Sequence, residues 1–473
     1  MRMGFNDLVF VVPGILGSRL VRRSSGAVVW DLSLHRLAGV IAARDFALSG
    51  VPEELEDEDI VATELFRSQW IPGFFGVDDY ASLLGALRAE VPSGQVRVFP
   101  YDWRQSNARS ARRLAQVVQE ALDTWRKGPG RAKAKAWFVC HSMGGLVVRY
   151  YTQALGGAAD TAGVITLGTP HIGSVKALTA LANGLSIGRL VDLTALVRGF
   201  PSVYELLPTF PVLRETDANG LRAARLRDFF GTAQPSGGAP LRAPPGALAA
   251  LNAGRVRAAQ AFHAAIAPRD DAPPPFRQYA VFNRRQKTAG SVAIENGRLV
   301  DYPTHLYQGD DGWVEADDRG DGTVPSFSCL PPESTDSASA LSAIEKHVML
   351  PGSSNVHLQL HNWLHPLDPR AMRDGAKPDD AIALSVPETC RSDEALVIRS
   401  SSKSPAVGEL VITTADGTRP GLRKTIPVTW PGGDEEVERR VEPLAPGVYR
   451  VGVDRDATNK PIDLFDWVLV TPA

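Results

Sequence analysis

Ser142 stands in the run Ala136-Trp137-Phe138-Val139-Cys140-His141-Ser142-Met143-Gly144-Gly145-Leu146-Val147-Val148. An apolar strand-like stretch ends at a serine, two glycines follow, and a helix-like pattern begins at once. A strand-to-helix turn of this kind is a nucleophile elbow, which lifts the serine Oγ clear of the backbone. The residues two before and two after the serine then have to be small. Gly144 meets that need at plus two. Cys140 occupies minus two, so the motif is C-x-S-x-G. The chemistry this predicts is nucleophilic acyl transfer, which needs a base and an acid later in the chain, in the order serine, acid, histidine.

Asp321 is the expected acid. It lies in Gly320-Asp321-Gly322-Thr323-Val324-Pro325, where flanking glycines allow a tight loop and Val324-Pro325 anchors it. Asp310, Asp311, Asp317 and Asp318 nearby read as a solvated acidic loop. Four histidines follow: His347, His357, His361 and His365. His347 opens the apolar Val348-Met349-Leu350, which reads as a strand. His357 follows the polar turn Pro351-Gly352-Ser353-Ser354-Asn355 and precedes a helical stretch, so it is the expected base, with His361 the next choice. His141 is expected to point away from the reaction, and His171 to be a loop residue near the pocket. An oxyanion hole needs two backbone N–H groups. Met143 and Ile15, the latter in Pro13-Gly14-Ile15-Leu16-Gly17, are the expected donors.

These groups need a scaffold. Leu8–Val12, Val96–Phe99, Ala136–Cys140, Val164–Leu167 and Gln278–Phe282 read as strands. Helical spacing runs through Tyr80–Glu90, Ala108–Trp125 and the segment after Ser142. Strands alternating with helices predict an α/β fold with a parallel sheet. Residues 175–275 break the alternation and read as a mostly helical cap. Val292–Val300, with Asn296-Gly297 at its centre, reads as a hairpin. After about residue 385, short strands separated by turn residues predict a small all-β sandwich. The expected division is a catalytic unit over 1–375 and an accessory β-sandwich over 385–473.

The 473 residues carry a net charge of −2, with 44% hydrophobic and 22% charged side chains. That is a globular composition with no basic excess for nucleic acid. Three scattered cysteines, Cys140, Cys329 and Cys390, offer neither a disulfide framework nor a metal site. Leu8–Val12 lacks a cleavage site and reads as a strand rather than a signal segment, and no apolar run reaches membrane-spanning length. The expected location is cytoplasmic, peripheral to a membrane at most. Trp70, Phe74 and Phe75, in Trp70-Ile71-Pro72-Gly73-Phe74-Phe75, are candidates for an interfacial lid as well as for packing under the cap. Asp102 and Arg104 are expected to satisfy each other beside a packed Trp103.

Six segments occur in order: Val12-Pro13-Gly14-Ile15-Leu16-Gly17-Ser18-Arg19-Leu20, Pro100-Tyr101-Asp102-Trp103-Arg104, the Ser142 elbow, Leu167-Gly168-Thr169-Pro170, the Asp321 loop and the His357 segment. Together they resemble the lecithin:cholesterol acyltransferase family of α/β-hydrolases, which includes lysosomal phospholipase A2 and phospholipid:diacylglycerol acyltransferases. The resemblance implies an α/β-hydrolase fold, Ser142, Asp321 and His357 as the triad, Ile15 and Met143 as the oxyanion hole, and a lipid acyl ester as substrate. No metal or cofactor is implied. The chain departs from the secreted members in lacking an evident signal segment and a disulfide-closed lid. The expected function is a serine lipase, phospholipase or lipid acyltransferase. A small-ester carboxylesterase and a non-catalytic lipid- or protein-binding scaffold are the alternatives. The C-terminal β-sandwich leaves room for a protein partner or self-association, and its removal is expected to spare short-ester turnover.

Overall fold

Six strands form one parallel sheet: β1 (Leu8–Val12), β2 (Val96–Val98), β3 (Ala136–His141), β4 (Thr161–Leu167), β5 (Arg277–Asn283) and β6 (Ala340–Ala343), in the order β6-β5-β4-β3-β1-β2. The computed structural model describes residues 5–30, 59–65, 68–71, 75–78, 80–187, 191–217, 220–231, 242–268, 274–310, 312–317, 319–334, 340–365, 382–414, 422–433, 435–455 and 464–473. Every residue of β1 and β3 is buried, as a parallel sheet covered on both faces requires. Side chains alternate between those faces. Phe10, Val12, Phe138 and Cys140 join one apolar cluster, whereas Val9, Val11, Trp137 and Val139 join the other.

Helices cover both faces. On one lie α2 (Asn107–Trp125), through Leu114, Val118 and Leu122, and α3 (Gly144–Ala154), through Leu146, Val147 and Tyr151. On the other lie α1 (Tyr80–Glu90), through Leu83 and Leu87, and α6 (Ser354–Leu364), through Val356, Leu360 and Trp363. Ser106 caps α2 by accepting the Ala108 N–H, and Ser353 caps α6 by accepting from Val356. From β1 the chain moves to the edge strand β2, returns to β3 beside β1, and then proceeds to the far edge. The carboxyl ends of β1 and β3 therefore flank the point where strand order reverses, the usual crevice for a ligand in such sheets. This is an α/β-hydrolase fold.

The cap differs in part from the expected mostly helical insertion. It contains α4 (Val175–Asn183) and α5 (Ala253–Ala265), but also the hairpin Leu213–Asp217/Gly220–Ala224. That hairpin pairs with the Asn296-Gly297 hairpin through Leu213 and Val292, making a four-stranded sheet. Asn296 and Gly297 both have positive φ, 49° and 77°, as a two-residue hairpin turn of this kind requires.

Two further sheets close the chain. One holds β7 (Ile382–Ser385), β9 (Leu396–Ser402) and β12 (Glu436–Val441). The other holds β8 (Thr389–Arg391), β10 (Ala406–Thr414), β11 (Arg423–Trp430), β13 (Gly447–Arg455) and β14 (Leu464–Thr471). Leu384, Leu396 and Ile398 of the first meet Leu410, Trp430 and Val451 of the second in one apolar core, a sandwich. Among the described residues no helix is long and apolar enough to cross a membrane.

The join between β1 and α3 has no room for a side chain. A Cβ on Gly144 would lie 2.4 Å from the Pro13 carbonyl oxygen and 2.6 Å from that of Val12, both backbone atoms. Gly144→Ala is expected to cost about 1–3 kcal/mol or more through overpacking. Gly85→Ala, at an exposed mid-helix site with nothing within 4 Å, is expected to gain about 0.5–1 kcal/mol. Urea denaturation of the two variants checks the opposite signs.

Candidate active site

Ser142, Asp321 and His347 meet at the carboxyl end of the sheet. Ser142 follows β3 with φ 52°, in the left-handed region. Its N–H donates to the Leu167 carbonyl at 2.9 Å, and its own carbonyl accepts the Gly145 N–H at 3.1 Å, which fixes the turn. Asp321 lies beyond β5, in a loop bridged to Gln286 through Gly320. His347 lies beyond β6, at the start of a short 3₁₀ turn, His347–Gly352. Its Nε2 is 2.8 Å from Ser142 Oγ and its Nδ1 is 2.7 Å from Asp321 Oδ2. All three side chains are buried.

The surrounding bonds assign the protons. A carboxylate oxygen accepts, so Nδ1 of His347 carries hydrogen and Nε2 is left to accept from the serine hydroxyl. The other carboxylate oxygen of Asp321 accepts N–H groups of Thr323 and Val324 at 2.9 and 2.7 Å, and its main-chain carbonyl accepts the His347 N–H at 2.9 Å. Gly168, at the end of β4, has φ 62°, and a Cβ there would come within 2.9 Å of both Asp321 Oδ2 and His347 Nδ1.

Behind the serine runs a second chain of bonds. Gly14 N–H donates to Tyr80 Oη at 2.8 Å, Tyr80 Oη lies 3.0 Å from His141 Nδ1, and His141 Nε2 lies 3.0 Å from the His347 carbonyl oxygen. A carbonyl only accepts, so Nε2 of His141 carries the proton and Nδ1 accepts from the tyrosine. Burial, then the neighbouring His347, hold the His141 pKa down at about 3, so this ring is neutral. His141 thus points away from Ser142, as expected, but beneath His347. The Pro13 carbonyl is held in turn by the Tyr101 hydroxyl at 3.0 Å. Asp102 and Arg104 form a two-point ion pair, at 2.8 and 2.6 Å, beside a fully buried Trp103.

The expectation for His357 is corrected. His357 lies in the first turn of α6, and its Nε2 bonds the Pro351 carbonyl at 2.7 Å. The strand expected at Val348–Leu350 is instead the 3₁₀ turn; the last sheet strand is the small-residue run Ala340-Leu341-Ser342-Ala343. His347 is therefore the histidine on the loop that follows a strand. His361 and His365 tie α6 to α1 through Glu90, at 2.6 Å to its carboxylate and 3.1 Å to its carbonyl. Glu90, His361 and His365 are the described group with metal-ligand composition. It is separate from the serine cluster. Ile15 and Met143, the expected oxyanion donors, are both buried beside it, on the loops after β1 and β3. Of the lid candidates, Phe74 lies outside the described residues, as do the side chains of Trp70 and Phe75. The backbone of the last two belongs to the hairpin Ser68–Ile71/Phe75–Asp78, whose second strand runs beside the His347 turn. Asp311 and Asp318 also lie outside the described residues.

Residues 88–222 match the family model of lecithin:cholesterol acyltransferase. No curated protein matches the chain. The Tle4–Tli4 complex structure aligns at TM-score 0.45 and 16% identity, covering 74% of this chain and 96% of that one. Bacillus licheniformis lipase BlEst2 in propeptide form aligns at TM-score 0.31 and 12% identity, covering 98% and 93%. A superoxide reductase (neelaredoxin) from Ignicoccus hospitalis aligns at TM-score 0.15 and 13% identity, covering 20% and 80%. None of these superpositions is close enough to transfer a function. The family match supports an acyl-ester hydrolase or acyltransferase.

The C-terminal sheets grip the segment that carries His347. Lys346 forms an ion pair with Asp466 in which both side chains are largely buried. Met349 packs with Val448, Phe465 and Trp467, and its sulfur accepts the Phe465 N–H at 3.4 Å. Lys176–Glu388 and Lys287–Glu436 ion pairs, at 2.9 and 2.8 Å, cross the same seam. The C-terminal sandwich thus contacts the chain on both sides of the histidine, at Lys346 and at Met349. Asp466→Asn is expected to speed hydrogen exchange of the 346–352 amides at least tenfold and to lower short-ester turnover several-fold with little change in KM. Unchanged exchange and turnover would show that the seam leaves the histidine alone.

Proposed function

We propose that the chain is a serine lipase, phospholipase or lipid acyltransferase that works through an acyl-enzyme on Ser142. The observation that carries this reading is the bridge of His347 between Ser142 Oγ and Asp321, at 2.8 and 2.7 Å. His347 Nε2 takes the hydroxyl proton as Oγ attacks the ester carbonyl carbon. Asp321 keeps the imidazole oriented and offsets its positive charge. The negative oxygen that forms is met by two backbone N–H groups. Met143 opens α3, where first-turn N–H groups have no acceptor within the helix. The Gly14 N–H is already taken by Tyr80, so the next one along the loop, Ile15, is the second donor.

The carbonyl–oxygen bond to the leaving alcohol then breaks, and that alcohol takes the proton from Nε2. Water, or the hydroxyl of an acceptor lipid, next gives its proton to Nε2 and attacks the acyl-enzyme. Ser142 Oγ leaves as the proton returns to it. Transfer and hydrolysis use the same residues and differ in which hydroxyl reaches the acyl carbon.

A lipid substrate is supported by the match of residues 88–222 to the lecithin:cholesterol acyltransferase family. The hairpin carrying Trp70 and Phe75 beside the His347 turn suits a surface-contacting role. We read residues 1–375 as the catalytic unit and 385–473 as an accessory unit that steadies it.

Mixed phospholipid vesicles treated with wild type and with Ser142→Ala, followed by lipid mass spectrometry, test the reading. Free fatty acid with lysolipid, or newly acylated lipid, is expected from wild type alone. Unchanged lipid with wild type, alongside Ser142-dependent cleavage of soluble esters, would make it a small-ester esterase. Within the site, His347→Gln is expected to lower kcat by about 10³-fold or more, and His357→Gln by no more than a few-fold. The reverse pattern in steady-state kinetics would return the base to His357.

A further inference from the structure

A cavity of about 730 Å³ lies between α5 and the cap residues 207–209 and 225–227, within the size range of small-molecule sites. Ile172, Leu207, Leu226, Val256, Ala259 and Ile266 give it apolar walls. Ser142, Asp321 and His347 do not line it. Its charged lining among the described residues is Arg149, Arg225 and Arg227, with no carboxylate. Arg149 is held by Glu333 in a two-point ion pair at 2.7 and 2.6 Å. Arg225 donates to the Thr209 carbonyl at 2.6 Å, and Arg227 is exposed. The cavity is thus an apolar hollow with Arg225 and Arg227 in its lining, Asp228 next to them, and Arg149 neutralised by Glu333.

His171 reaches this wall with a side chain that is 97% buried, and neither ring nitrogen has a hydrogen-bond partner in the protein. Burial, with the Arg149 charge second, pushes its pKa down to about 3, so it is neutral and offers one donor and one acceptor. Gln260 lines the same cavity, and both polar atoms of its amide are likewise buried and unpartnered. A buried polar group without a partner is destabilising. An imidazole and an amide in this state, on one apolar cavity, are what a ligand with a polar end would satisfy.

We propose that this cavity binds a fatty acid. Its alkyl chain lies along the apolar walls. Its carboxylate accepts from the His171 ring N–H and the Gln260 amide, and Arg225 and Arg227 supply the countercharge. Such a ligand would also touch the machinery indirectly. The His171 main-chain N–H donates to the Ser328 carbonyl at 2.8 Å, and the Ser174 hydroxyl to the Thr323 carbonyl at 2.6 Å, so this loop is tied to the loop of Asp321.

The test is isothermal titration of laurate into full-length Ser142→Ala. That variant removes turnover from the measurement, so the outcome does not depend on the acyl-ester reading. Saturable one-to-one binding is expected, weakened at least tenfold by His171→Leu or by Ala259→Trp, which fills the cavity. Arg227→Gln, a change to an exposed side chain that leaves the fold intact, is expected to weaken it several-fold. Dodecanol is expected to bind more weakly than laurate. Absence of saturable binding, or affinity in His171→Leu and Arg227→Gln unchanged from that of Ser142→Ala alone, would overturn the proposal. Dodecanol binding as tightly as laurate would overturn the carboxylate assignment.

Discussion

The seat of His347 is the constraint on which the rest of the structure turns. Its ring has to reach a serine on one side and a carboxylate on the other, and the contacts at 2.8 and 2.7 Å leave little slack. Gly168 makes room beneath that contact, since any side chain there would press on the Asp321–His347 bond. The His347 main chain is held at both ends. Its N–H donates to Asp321 and its carbonyl accepts from neutral His141. Because the cluster is buried, each of these bonds acts in a low-dielectric setting, where it is stronger and where a lost partner is more costly.

The fold supplies this seat through the ends of a parallel sheet. Neighbouring strands β1 and β3 deliver the Ile15 loop and Ser142, β4 delivers Gly168, and the outer strands lead to Asp321 and His347. Tyr80 at the start of α1 links the first loop to the last by bonding Gly14 and His141 together. Tyr80 and His141 therefore connect the loop after β1 to the main chain of His347 through hydrogen bonds. The C-terminal sheets add a third support from outside the α/β layers, through Lys346–Asp466 and Met349. The C-terminal module is thus packed directly against the segment that carries His347.

Much of this was legible in the residues. Ser142 was visible because an elbow needs small neighbours at fixed offsets. Asp321 was visible because its flanking glycines and Val324-Pro325 mark a tight anchored loop. The Asn296-Gly297 hairpin was visible because few dipeptides favour two positive φ angles. His347 was missed for a definable reason. The strand before it, Ala340-Leu341-Ser342-Ala343, has neither the β-branched residues nor the alternation that mark a strand. The apolar Val348-Met349-Leu350 took the strand assignment instead, and that moved the loop ten residues on, to His357. Pro351-Gly352 was the available warning, since a strand of three residues ending there leaves little to pair. The cap hairpin was hidden by Ala- and Leu-rich surroundings. The grip of the C-terminal sheets was beyond sequence reading altogether, because Lys346 and Asp466 meet across 120 positions.

The proposed chemistry stands on Ser142 as the activated nucleophile of this buried cluster. Incubation of the native protein with a fluorophosphonate, followed by intact mass and peptide mapping, tests it most directly. One adduct per chain is expected, on the peptide containing Ser142, and none after denaturation before labelling. A native protein that takes up no label, or takes it up at another residue, would contradict it.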